Sequence, residues 1–116
     1  MYHKAMKIAK DLVAASSVPL VLAILTDGES YGYEIIQRVR ELSGGEMEWT
    51  DGMLYPVLHW LAANGYVEAE WRTAESGRKR RYYALNPAGR KYLAEQQAQW
   101  ATVSGTLRRA WRKQHA

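Results

Sequence analysis

The sequence predicts a mainly α fold carrying one small β-hairpin, an α+β chain, and three observations predict it. Apolar residues recur at helical spacing as far as Asn64; the period drops to two between Tyr66 and Leu85; a seven-residue repeat then runs from Leu93 to Leu107. The chain has 116 residues, one domain's worth, and its 47% hydrophobic and 24% charged content argues against wholesale disorder.

In chain order, residues 2 to 14 place Met6, Ala9 and Val13 beside Ala5 and Leu12, with Lys4, Lys7, Lys10 and Asp11 around the rest of the wheel. This is an amphipathic helix in need of a partner surface. Ser16-Ser17 before Val18-Pro19 reads as a cap with proline in the first turn, opening a second helix through Leu20, Val21, Leu22, Ile24 and Leu25 that Asp27-Gly28 stops. A third helix starts near Ser30, carries Tyr33, Ile36, Val39 and Arg40 or Leu42 on successive turns, and ends at Ser43-Gly44-Gly45. In this phase Tyr33 is a core or edge residue. A fourth helix follows Thr50 and presents Leu54, Val57, Leu58 and Leu61 before Asn64-Gly65 closes it. Pro56 sets its start at Asp51 to Met53, because an interior proline costs about 3 kcal/mol and a first-turn proline far less.

From Tyr66 to Arg72 the chain alternates Val67, Ala69 and Trp71 against Glu68, Glu70 and Arg72, and Lys79 to Leu85 is a second β-leaning run. Between them Thr73 to Arg78 reads as a hairpin tip. Asn86-Pro87 caps a last helix whose seam consists of Leu93, Gln96, Trp100, Val103, Leu107 and Ala110. Gly105 within it costs about 1 kcal/mol relative to Ala, so packing must hold this helix together.

Charge divides sharply along the chain. The net charge is +4, but residues 1 to 70 carry −5 and residues 71 to 116 carry +9, which points to a basic surface built by one part of the fold. Between residues 71 and 92, seven Lys/Arg face only Glu75, and Arg78, Lys79, Arg80 and Arg81 are consecutive. Releasing counterions from phosphates is the physical reason such a cluster binds nucleic acid. From charge alone, a solvated hairpin whose arginines pair with Glu68 and Glu70 accounts for it equally well.

Absent residues exclude whole classes of chemistry. Without cysteine there is no disulfide, thiolate zinc site or cysteine nucleophile. His3, His59 and His115 are too scattered for a zinc motif, and no glycine-rich phosphate loop or dinucleotide fingerprint occurs, so neither an enzyme nor a cofactor is expected. The longest apolar run, Val18 to Leu25, falls far short of the ~20 residues a membrane span requires, and Met1-Tyr-His-Lys opens no apolar leader. These readings predict a soluble, cytoplasmic chain with no membrane partner. Phenylalanine is also missing, against 5 Trp and 8 Tyr, whose polar handles favour interfaces and partly wet positions.

Helices two to four followed by a basic hairpin are the order of a winged helix-turn-helix, with the fourth helix as the recognition helix. The motifs Tyr31-Gly-Tyr-Glu-Ile-Ile36, Gly52-Met-Leu-Tyr-Pro56, Leu58-His-Trp-Leu61, Gly65-Tyr-Val67 and the run from Gly77 to Arg90 sharpen this. In them the chain resembles the PadR-like transcriptional regulators, in particular the short subfamily with a single C-terminal helix, over about residues 16 to 112. The resemblance implies a homodimeric repressor of a palindromic operator in double-stranded DNA. It implies dimerisation by the C-terminal helix with the N-terminal helix of the other subunit. The domains would then be 1–15, an amphipathic dimer contact; 16–86, the winged helix-turn-helix; and 87–116, the dimerisation helix. Two departures from the family pattern, Met53 for Ser or Thr and Trp60 for Arg or Lys, shift the expected contacts toward the wing.

The candidate DNA contacts follow from these elements. Tyr55 and Pro56 begin the recognition helix, where backbone N–H groups and the helix dipole favour a phosphate; His59 lies one turn on, and Met53 is in the same first turn. Ser30 and Tyr31 are phosphate candidates at the start of helix three, and Thr50 reads first as a cap and second as a contact. In the wing, Gly77 allows a tight tip with positive φ, Arg78 is the candidate for the minor groove, and Lys79, Arg80 and Arg72 neutralise phosphate. A rival reading is a dimeric protein-interaction module that does not bind specific DNA. Trp100 raises a ligand question: near a two-fold axis paired indoles would form a slot for a planar aromatic effector, with Val103, Leu107, Met6, Ala9 and Val13 as walls. A tryptophan that merely fills a dimer core explains the same stripe.

Overall fold

The computed structural model describes residues 6–113. Its elements run α1 (Lys10–Leu25), β1 (Ser30–Tyr31), α2 (Gly32–Leu42), α3 (Asp51–Ala63), β2 (Val67–Thr73), β3 (Lys79–Leu85) and α4 (Pro87–Lys113). The three strands form an antiparallel sheet in the order β1-β3-β2. The architecture is α+β, as the change of period implies. No helix among the described residues is long and apolar enough to cross a membrane.

The first two expected helices are one. Residues 6 to 9 are outside any helix, α1 begins at Lys10, and Pro19 sits inside it; the expected helical residues 2 to 5, with His3 and His115, lie outside the described residues. Ser16 and Ser17 do not cap. Their hydroxyls donate back to Leu12 O (2.7 Å) and Ala14 O (2.8 Å), the pattern of helix-interior serines. Pro19 deprives only the carbonyl of Ala15 of its helical donor, and Ala15 is exposed, so water can replace that bond. Burial of Val21, Leu22, Ile24 and Leu25 on the following turns then holds the helix through the proline.

The same logic admits Pro56 to α3, which starts at Asp51 as the sequence implies: the carbonyl it frees belongs to exposed Gly52. Leu54, Leu58 and Leu61 are fully buried from this helix. In α2 Val39 is buried and Ile36 packs against the core as expected, but the inward face is centred elsewhere at the start of the helix. Gly32, Ile35 and Val39 face inward, and Tyr33 and Leu42 are exposed rather than core. The joint between the two helices is closed by Ser43, whose hydroxyl accepts from Met47 N (2.9 Å), and by Trp49, which enters the core.

The hairpin has the predicted arms and tip. Val67 pairs with Leu85 and Thr73 with Lys79, and the tip is closed by Ala74 N to Arg78 O (2.8 Å) and Gly77 N to Ala74 O (2.8 Å), with Gly77 at φ +84°. Two-residue β1 then adds to the free edge of β3, pairing Ser30 with Tyr83 and Tyr31 with Tyr82. It makes β3 the central strand and ties the α1–α2 connection to the wing.

Asn86 caps α4 as its sequence implies: Oδ1 accepts from Gly89 N (2.8 Å) and the backbone oxygen from Arg90 N (3.0 Å). The start of α4 is pressed hard against the wing. Tyr66 and Tyr92 stack at 4.3 Å with rings 2° apart, and Trp60 joins them at 6.0 and 6.2 Å. Leu93, expected in the dimer seam, is instead 6% exposed and part of this chain's own core. A Cβ on Gly89 would stand 2.1 Å from Tyr66 O and 2.6 Å from Leu85 Cδ1. Gly89→Ala is therefore expected to destabilise the fold by about 1–3 kcal/mol, read by chemical denaturation; an unchanged midpoint would show that α4 docks otherwise.

Candidate nucleic-acid interface

The face of α3 turned away from the core presents Asp51, Tyr55 and His59, one turn apart each, to a cleft of about 550 Å³. The opposite wall is the wing, with Trp71, Arg78, Lys79, Arg80, Arg81 and Tyr83, and the floor is the junction Tyr31, Gly32 and Tyr33 at the start of α2. Four cations thus face one carboxylate across an open slot. The alternation of β3 aims two of them, Lys79 and Arg81, while Arg80 joins the lining from the other face over the ring of Tyr31. Tyr83 is buried, so Arg81 and Lys79 lie on its face of the strand, while Arg80 and Tyr82 lie on the other.

Aromatic rings hold the arginines in place. Arg81 lies 5.9 Å from the ring centre of Trp71 and 5.8 Å from that of Tyr83, and Arg80 lies 4.3 Å from that of Tyr31. Tyr31 meets Tyr82 edge-on at 5.3 Å. Burial raises the phenol pKa of Tyr83, with Arg81 working against the rise. Arg81 and Trp71 are cleft residues that the sequence-based set omits. The signal was present: Trp71 pairs with Arg81 on the face that Val67 and Tyr83 bury, so both continue the core side of the hairpin past the end of the core.

The structure divides the other candidates. Tyr31, Tyr55, His59, Arg78, Lys79 and Arg80 come together in the cleft, with Gly77 at the tip beside them. Ser30 is 7% exposed and its Oγ donates to Glu34 Oε1 (3.0 Å), which removes it from the surface. Thr50 occupies the N-cap position of α3 through its backbone, whose oxygen accepts from Met53 and Leu54 (3.1 Å each), and its hydroxyl makes no capping bond. Pro56 is exposed but is not a cleft wall. Met53 points elsewhere. It lines a separate apolar groove of about 560 Å³ with Met6, Ile8, Val13, Met47 and Trp49.

Arg72 is engaged within the chain. Its guanidinium pairs with both carboxylate oxygens of Glu29, Nη2 to Oε2 at 2.7 Å, and with Glu70 at 2.9 Å, while lying 4.8 Å from the ring centre of Tyr82. The solvated-hairpin reading thus holds for this one arginine, and Glu68 accepts from Asn86 Nδ2 instead (3.2 Å). Among the ligand candidates, Met6 and Val13 line the apolar groove; Ala9 is the N-cap of α1; Trp100, Val103 and Leu107 lie on α4 outside it. Among the described residues no group of three or more His, Asp or Glu could hold a metal.

Residues 21–95, which contain the cleft and its supporting core, match the model of the "Transcriptional regulator PadR-like family". The chain belongs to this PadR-like family. It is 40% identical over 75 residues to the transcriptional regulator Rv3488 of Mycobacterium tuberculosis, covering 65% of this chain and 66% of that one. A transcriptional regulator from Clostridium thermocellum superposes with a TM-score of 0.80 at 26% identity, covering 88% of this chain and 96% of its own. A PadR family transcriptional regulator from Eggerthella lenta does so at 0.69 and 28%, covering 84% and 79%. This PadR-like chain is accordingly a DNA-binding transcriptional regulator with the winged-helix fold.

The Glu29–Arg72 pair links the α1–β1 connection of the PadR-like domain to its wing and makes a pH prediction. The hydrogen bonds from Arg72 lower the Glu29 pKa from its ordinary 4.5. A lowered folded-state pKa contributes stability that is complete above 4.5 and is lost as pH falls through the folded value. Glu29→Gln is expected to remove that acid-side loss from a plot of melting temperature against pH, with a small effect, since both partners are solvent-facing. A profile identical to the parent's would show that the pair does not link wing to connection in solution.

Proposed function

We propose that the chain is a homodimeric repressor that binds a palindromic operator, α3 entering the major groove while the wing reaches backbone and minor groove. The observation that carries this reading is the cleft itself: the basic wing tip, Arg78 to Arg81, faces the Asp51–Tyr55–His59 ridge of α3. Such a shape holds phosphates on one side and a helix against base edges on the other. Dimerisation is supported by α4. Beyond Leu93 it carries half-buried Gln96 and Trp100, then Val103, Leu107 and Trp111 at 51%, 42% and 55% exposure, with exposed Ala110. Such an apolar stripe on a 27-residue helix needs a covering surface, and a second copy of the helix supplies one.

Gel shifts with duplex DNA from immediately upstream of the gene test this reading. Log K should fall steeply with log[salt], and Arg78→Ala and Lys79→Ala should each reduce the slope by about 1. Val103→Glu with Leu107→Glu should yield monomers in sedimentation with weakened DNA binding. Salt-insensitive binding, or none, would favour the protein-interaction reading.

The finer proposal is release by a planar aromatic effector between paired Trp100 side chains, which alters the distance between the two recognition helices. It requires different operator affinities for the two distances. In this reading Trp100, Val103 and Leu107 supply one wall and the Met6–Val13 side of the other copy faces them. Titration with planar aromatics should quench tryptophan emission in the parent and not in Trp100→Ala, and should weaken operator binding. Quenching that survives the substitution would refute the slot.

A further inference from the structure

Gly32 has no backbone reason to be glycine. It opens α2 and is absent from the residues with positive φ, so any L-residue fits its conformation, and alanine would be the better helix former. Space supplies the reason. A Cβ on Gly32 would stand 2.5 Å from Tyr55 Oη, 3.0 Å from Cζ and 3.6 Å from Cε2. The phenol of Tyr55, one helix away, rests on the bare α-carbon at the floor of the cleft. It has no hydrogen bond to another described residue, so its hydroxyl stays available to a ligand.

We infer that Gly32 is a positioning residue for DNA binding: its missing side chain is the seat that holds Tyr55 inside the cleft, in line with His59 and opposite the basic wing. Tyr55 is 37% exposed, so it has room to swing outward. A methyl at position 32 therefore evicts the ring and leaves the core intact. His59, whose ring is 6.5 Å from that of Tyr55, loses its neighbour on the ridge. The effect reaches DNA only through Tyr55, and this inference rests on the DNA-binding reading above.

The test uses the full chain, a fluorescein-labelled duplex from upstream of its gene, and five variants: Gly32→Ala, Tyr55→Phe, Tyr55→Ala, and Gly32→Ala combined with each of the latter two. Gly32→Ala should weaken binding about tenfold in the parent, less in the Tyr55→Phe background where the nearest atom is gone, and not at all beside Tyr55→Ala. Its melting temperature should equal or exceed the parent's. Equal losses in all three backgrounds, or no loss in the parent, would overturn the seat while leaving DNA binding standing. Independently of DNA, an NMR cross-peak between the Gly32 α-protons and the Tyr55 ring should be present in the parent. A parent that shows the cross-peak but does not bind the duplex overturns the DNA-binding reading and the functional role together; a parent without the cross-peak overturns the seat alone.

Discussion

Tyr83 is 1% exposed in the middle of the central strand, and its burial sets the phase of everything that strand carries. Side chains alternate across a strand, so a slip of one residue would turn Arg81 and Lys79 away from α3 and bring Arg80 and Tyr82 to the core. The hydroxyl of Tyr83 has no hydrogen-bond partner among the described residues, a cost of about 1–3 kcal/mol. Burial of a ring of about 200 Å² returns about 5 kcal/mol, so the aromatic side chain prevails over its own polar atom. Pairing on both edges adds to this: Ser30 and Ala69 flank Tyr83 on β1 and β2, and neither is large enough to displace it.

From this phase follows an electrostatic division of labour. Arg72, next to the tip and directly opposite Arg80, meets Glu29 and Glu70 and fastens the wing to the α1–β1 connection. Arg80 and Arg81 meet aromatic rings in place of carboxylates, and a ring orients a guanidinium without neutralising it. Charge is thus cancelled at Arg72 on β2 and preserved at Arg80 and Arg81 on β3. No Lys or Arg occurs between Asp51 and Ala63. In the proposed complex α3 would then make contacts by shape and hydrogen bonding, and the salt-dependent part of binding would fall to the wing.

The elements legible in the sequence were those in which one period ran long enough to dominate. The four-residue apolar recurrence of α3 and the alternation of β2 are of this kind, and the Asn86-Pro87 cap is a local signal with a local cause. The elements misread are those decided by tertiary context. Pro19 reads as punctuation, yet it is tolerated because the carbonyl it frees faces water and the next turn is buried. β1 is two residues long and has no period at all; it exists because β3 offers an unpaired edge. Helical spacing makes Tyr33 a core or edge residue, whereas Gly32 and Ile35 take the core-facing positions and Tyr33 is exposed. For the candidate site, the basic run named its own members, but Arg72 could be separated from Arg81 only through partners as distant in sequence as Glu29.

The cluster of Trp60, Tyr66 and Tyr92 gives Trp60 a physical role. A lysine or arginine there would present a charge on α3; tryptophan instead gives the end of α3 a tilted ring contact with the first turns of α4. Tyr66 and Tyr92 lie nearly parallel at 4.3 Å, and Leu93 next to them is in the core, so this joint has little freedom to slide. Trp60 adjoins His59 on the cleft ridge and stands five residues after Tyr55. A helix transmits a tilt along its length, so a force on α4 reaches the cleft through three rings and one turn of α3. Any partner or ligand that reorients α4 must either break this joint or move α3 with it.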